Sequence, residues 1–167
     1  MVRWSEFRQA RPDLAAAGRE LFYQFGVGLG FLATIRRDGG PRVHPVCPVI
    51  TDNGLFTLVI PSRKRADLHR DGRYALHAFP TPNNEDAFYV TGMAVVRQDG
   101  ALRRSIDSVF LDERGWKSPP PGFEDQELFE FLIEVCLLTR TAGHADFDPK
   151  HTIWKASQGS PAGSRRP

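Results

Sequence analysis

The 167-residue sequence has only two cysteines, Cys47 and Cys136, far apart and without the spacing of a zinc site or a redox pair. Each lies between apolar residues, Val46 and Pro48 in one case, Val135 and Leu137 in the other, so both read as reduced, packed hydrophobes. No run approaches the roughly 20 apolar residues that cross a bilayer, and Met1 to Glu6 lacks the apolar stretch of a secretion signal. The expectation is a cytoplasmic protein with no membrane partner. An excess of one charge is missing too. There are 22 Lys and Arg against 20 Asp and Glu, and the basic residues are dispersed apart from Arg63-Lys64-Arg65 and the C-terminal end, which argues against a nucleic-acid partner. No internal repeat is present, and no Gly-x-Ser-x-Gly elbow, His-Glu-x-x-His or recognisable pair of acids, so nothing points to a protein nucleophile or a zinc hydrolase.

What is present has the proportions of one globular domain: 41% hydrophobic and 25% charged residues, in a chain too short for two comfortable cores. Pro12-Asp13 opens a helical pattern with Leu14, Ala17, Leu21, Phe22 and Phe25 on one face and Gly26 as its stop. The period then changes. Leu29 to Arg36 and Arg42 to Thr51 read as strands around an Arg37-Asp38-Gly39-Gly40 turn, and Asp52-Asn53-Gly54 leads into a third strand, Leu55 to Ile60, giving a meander.

Ser62 is placed to cap a short helix to about Arg70, after which Tyr74 to Phe79 and Ala87 to Val96 read as strands. Leu102, Ile106, Val109 and Phe110 have helical spacing, and Glu113 to Gly122, with three consecutive prolines, is a long loop that could act as a lid. Leu128 to Leu138 is apolar enough for either buried helix or buried strand, and the alternation of Phe129, Phe131, Ile133 and Val135 favours strand. A last strand surrounds Trp154. The pattern predicts a mainly β (α+β) antiparallel β-barrel with flanking helices over residues 1–156, and a disordered tail over 157–167.

Ser62-Arg63-Lys64 has a chemistry of its own. A helix start with unpaired amides, a hydroxyl, a guanidinium fork and an ammonium supplies charge-assisted donors for a phosphate. The same three residues also read as a plain helix cap beside two solvated cations. The run from Gly54 to Leu68 with that triplet, followed by Asp71-Gly72-Arg73-Tyr74-Ala75-Leu76-His77-Ala78-Phe79-Pro80, resembles the middle of the pyridoxamine 5′-phosphate oxidase superfamily of flavin-binding split barrels. Arg42-Val43-His44-Pro45-Val46 before it and Phe88-Tyr89-Val90-Thr91-Gly92 after it are similar as well, the latter to a strand leading into a glycine turn. In all, the likeness covers about Phe31 to Val96.

The resemblance implies a flavin phosphate held by Ser62, Arg63 and Lys64, with the ring along Val59 and Ile60 on one strand and His44, Pro45 and Val46 on another. It further implies a homodimer with the cofactor at the subunit interface and Trp154 near the partner's flavin. FMN is the expected cofactor; a deazaflavin coenzyme, with Arg65, His69 and Arg70 as a groove for its tail, and haem are alternatives. The family's oxidases carry a basic residue where this chain has Pro48-Val49, and an Arg-Leu-x-Pro ending where it has Ala156-Ser157. A flavin-dependent oxidoreductase other than the vitamin-salvage enzyme is therefore expected, its small-molecule substrate unnamed.

Overall fold

In the computed structural model, which describes residues 1–157, twelve elements form around one sheet. Two helices lead, α1 (Trp4–Ala10) and α2 (Pro12–Phe22). They are followed by β1 (Gly30–Ile35), β2 (Pro41–Val46), β3 (Pro48–Ile50) and β4 (Leu55–Val59), then helix α3 (Arg63–Arg70). Strands β5 (Arg73–Ala78) and β6 (Ala87–Val96), helix α4 (Gly100–Asp112) and strands β7 (Glu127–Arg140) and β8 (Lys150–Lys155) complete the chain. The tail expected over 157–167 falls, from 158 onward, outside the described residues.

All strand pairs are antiparallel, in the order β2-β1-β5-β6-β7-β4-β3, with β8 added to the far end of β7. The expected hairpins exist, but the meander does not. β4 leaves β3 to pair with β7, and the single expected strand from Arg42 to Thr51 is broken at Cys47 into β2 and β3, which occupy opposite ends of the sheet. Two sheet ends joined through one residue force the sheet to curl, so the eight strands form a half-barrel. β7 makes the split possible: its first residues pair with β4 and its last with β8, while β6 runs along its other edge.

Burial explains the strand sequences. β4 is apolar apart from Thr57, whose hydroxyl donates to the Cys47 carbonyl, because both of its faces are covered: Leu55 and Val59 enter the main core, while Phe56 enters a second cluster with Val49, Ile106, Phe110, Phe123 and Leu128 beneath α4. Strands β1, β5 and β6 alternate instead, with Leu32, Leu76, Phe88 and Val90 inward. Gly92, expected at a turn, lies inside β6 at a bulge, where an added Cβ would sit 1.9 Å from the Leu132 carbonyl oxygen.

The N-terminal helices depart from the expected pattern in two ways. Helix α1 buries Trp4 and Phe7, and the Phe7 ring packs 4.9 Å from Trp154. Helix α2 ends at Phe22, so Phe25 lies beyond it and is 51% exposed rather than on the core face.

A buried acid fixes α3 to the sheet. Asp67, 3% exposed, accepts from Arg42 Nε on β2 at 2.6 Å, Thr34 Oγ1 on β1 at 3.2 Å and Arg70 on its own helix at 3.0 Å. Burial alone would raise its pKa, but these hydrogen bonds together outweigh that and hold it below the ordinary carboxylate value.

A group held below its unfolded pKa stabilises the fold fully above about pH 4, and that contribution is lost as pH falls through the folded value. Asp67→Asn should therefore cost about 3 kcal/mol at pH 7 in urea unfolding, the scale of breaking a buried ion pair, with the gap to wild type narrowing in acid. Gly92→Ala should cost about 2 kcal/mol by the same measurement, because the carbonyl of β7 must move to admit a methyl group.

Candidate functional site

The start of α3 follows from three residues. Pro61 ends the extended run of β4, Ser62 accepts from the Arg65 amide at 3.4 Å as N-cap, and its own hydroxyl donates to the Ile60 carbonyl at 2.9 Å. Ser62 is thus committed to the turn it builds. What the turn presents outward is the first amides of the helix together with the Arg63 and Lys64 side chains.

These two cations differ from most of the chain's arginines. Arg65 is bound to the Asp125 carbonyl at 2.8 Å and lies 3.6 Å from Glu127; His69 meets Glu127 at 2.6 Å; Arg70 is held by Asp67. Those three already have partners within the fold, and none of them lines the cleft over Arg63 and Lys64. Arg63 and Lys64 have no acidic or hydrogen-bonding partner among the described residues. Lys64 is half-buried, and burial pushes its ammonium below the ordinary lysine pKa. An unpaired, partly desolvated ammonium is costly in isolation and is relieved by an anion.

A cleft of about 280 Å³ opens over them, lined by Arg42, His44, Ile60, Ser62, Arg63 and Lys64. Five of the nine sequence-derived site residues thus share one wall: His44, Ile60, Ser62, Arg63 and Lys64. The other four fall elsewhere. Val46 and Val59 turn into the main core, 7% and 0% exposed, which leaves only their backbone for a ligand. Pro45 points to the outer face of the sheet, opposite His44. Trp154 sits on β8, at the other margin of the sheet from β2, with its ring against Phe7, so it stands apart from the cleft within one protomer.

Arg42 was missed as a site residue. The signal was available in its position two residues before His44, the spacing that puts both on one face of a strand. Its Nε is bound to Asp67, which fixes the plane of the guanidinium toward the cleft. The long loop after α4 does not reach this cleft within one protomer. Phe123 is buried against Phe110, Trp116 meets the Phe110 edge at 6.2 Å, and neither lines the cleft.

Both cysteines behave as expected of packed thiols. Cys136 is fully buried, which pushes its thiol up to about 12, and Cys47 is partly buried at the strand break. Among the described residues, no group of three or more His, Cys, Asp or Glu could hold a metal and no helix is long and apolar enough to cross a membrane.

No protein-family model and no curated protein matches the chain. Solved structures do share its architecture. A protein related to general stress protein 26, of the pyridoxinephosphate oxidase family, from Clostridium acetobutylicum is 15% identical, with 90% of this chain and 95% of that chain covered and a TM-score of 0.58. A heme binding protein from Mycobacterium smegmatis is 15% identical with a TM-score of 0.59; the match covers 82% of this chain but 57% of that longer one. An F420 reductase is 20% identical, covering 65% and 87%, with a TM-score of 0.53. At such identities the likeness is one of fold alone: the chain shares the split-barrel architecture of these structures.

Proposed function

We propose that the chain binds FMN in the cleft between β2, the end of β4 and the start of α3, and acts as a flavin-dependent oxidoreductase. The observation that carries this reading is Lys64, a half-buried ammonium without an acidic partner, beside Arg63 and the unpaired amides of a helix start. These donors suit a phosphate. Ile60, 50% exposed, offers an apolar edge to a ring, and His44 offers a hydrogen-bonding group within the same cleft.

Bound there, the flavin would supply two-electron transfer between a reductant and an acceptor, and the protein would supply binding and orientation. Val49, where the salvage oxidases place a cation, is fully buried, so a substrate phosphate meets no positive charge at that point. The reading is accordingly an oxidoreductase with a different substrate.

A deazaflavin coenzyme would use the same phosphate donors. Haem is the second reading, favoured by one observation. The His77 Nδ1 donates to the Ala78 carbonyl, the arrangement that fixes an imidazole to present Nε2 to a metal.

The working unit of this reading is a homodimer. Pro45, Phe31, His77, Tyr89, Leu137 and Ile153 lie side by side across six strands on the outer face of the sheet. Phe31 stacks on Phe79 at 4.3 Å yet stays 37% exposed, and Ile153 is 58% exposed. Exposed apolar side chains in a continuous row favour a cover. Pro45 ends that row on the strand whose other face carries His44, so a second copy seated there would also wall the open side of the cleft.

Absorption and fluorescence titration with FMN, run beside the deazaflavin coenzyme and haem, should give saturable FMN binding near one per subunit. Lys64→Ala should weaken it about tenfold, the scale of one charge-assisted hydrogen bond; unchanged affinity removes the phosphate site, and a Soret band in place of flavin binding moves the reading to haem. Light scattering should give the mass of a dimer, and Tyr89→Glu, which places a charge mid-row, should give that of a monomer.

A further inference from the structure

A depression of about 500 Å³ opens between the two N-terminal helices and the β3–β4 turn, and it shares no residue with the candidate cofactor cleft. The turn precedes the first residue of β4 and the cofactor cleft follows its last, so the two stand at opposite ends of one strand. We propose that this depression is a binding site for a small organic acid, a single carboxylate carried on a compact apolar body such as an aromatic ring.

Both helices contribute to the apolar part of the site. Pro12, Ala15, Ala16 and Arg19 fall on one face of α2, and the small side chains at 15 and 16 leave open the space that larger ones would fill. Trp4, Ala15 and Ile50, each 3% exposed or less, form the floor. An edge contact between the Trp4 and Phe7 rings at 5.4 Å holds that floor in place. The volume is enough for one ring and its substituent.

The polar groups stand at the rim. Arg8 of α1 donates to Asp52 of the turn at 2.6 Å through Nη1, and Arg19 of α2 donates to the Ile50 carbonyl at 2.7 Å through its own Nη1. Arg19 lies 4.8 Å over the Tyr23 ring and has no acidic partner among the described residues. The Thr51 hydroxyl oxygen accepts from the Asn53 amide at 3.2 Å, which leaves its proton to donate. Two guanidiniums and a hydroxyl therefore face one carboxylate, a balance that favours an anion. Asp52 indicates which kind. Its carboxylate already fits the fork of Arg8, yet its side chain is 83% exposed and has no other partner among the described residues. An incoming carboxylate can take its place at small cost, since an exposed ion pair is weak. A bare phosphate would leave the apolar floor uncovered, whereas a ring removes it from water.

The test follows backbone amide chemical shifts of the isotope-labelled full chain during titration with phenylacetate. Phenylacetamide serves as its uncharged counterpart, and inorganic phosphate as an anion without an apolar body. Phenylacetate should shift the Ala15, Ala16 and Thr51 amides saturably, with a Kd of about 1 mM or below. Phenylacetamide should bind about tenfold more weakly, and phosphate should leave these amides in place. Two exposed substitutions should have opposite signs. Arg8→Gln should weaken phenylacetate about tenfold, whereas Asp52→Asn, which frees Arg8 from its competitor, should strengthen it about threefold. Both variants should keep the wild-type melting temperature, because each breaks only an exposed ion pair. Phenylacetamide binding as tightly as phenylacetate, phosphate shifting the same amides, weaker binding by Asp52→Asn, or no saturable shift in wild type each overturns the site.

Discussion

One covalent constraint organises this molecule: β2 and β3 are separated only by Cys47 yet lie at opposite ends of the same sheet. A sheet whose two ends are held a single residue apart cannot remain open, and the half-barrel follows. So does the location of the cleft. After the break the chain runs up β3, turns at Asp52-Asn53 and returns along β4, so the end of β4 and the start of α3 arrive beside the β2 residues that preceded the break. Arg42 and His44 thus meet Ile60 to Lys64 across a short stretch of sequence because the strand changes ends between them.

The treatment of buried charge separates structural residues from candidate site residues. Asp67 is held by Arg42, Arg70 and Thr34, and Glu130, 3% exposed, is held by Arg97 at 2.5 Å with Arg3 at 3.5 Å. Each buried acid therefore ties separate elements together with its charge compensated. Glu113 is the looser case: burial raises its pKa, and its Oε2 has no hydrogen-bond partner although Tyr23 donates to Oε1 at 2.8 Å. Against this background Lys64 stands out, since it is partly desolvated, cationic and unpaired where Asp67 and Glu130 are paired. Such an imbalance is common at binding sites, where a ligand completes the pairing.

The two faces of the sheet also divide the labour. β4 and the first part of β7 are covered on both sides by the main core and by α4, which makes them rigid supports for the turn into α3. β1, β5, β6 and the end of β7 are covered only inside, and their outer row of Phe31, His77, Tyr89 and Leu137 is half-open. A strand buried on both faces reads as one apolar run, and a strand buried on one face alternates; the chain contains both, which is why its periodicity changes along its length.

Much was legible in the sequence because it is local. Hairpin turns, the Ser62 cap, the capped segment after it and the alternating strands follow from backbone preferences and periodicity over a few residues. The rest depended on contacts distant along the chain. Helix α1 has only Trp4 and Phe7 to bury, too little for a helix of seven residues in isolation, and it exists because β7 and Trp154 receive those rings. The pairing of β4 with β7, the burial of Val46 and Val59, and the assignment of Arg65 and His69 to Glu127 rather than to a ligand were likewise tertiary outcomes. The amino-acid sequence by itself determined which segments are strands and which residues could hold an anion. The tertiary structure alone decided which of those cations remain free to do so, because a cation whose donors are taken by neighbours in space has fewer left for a ligand.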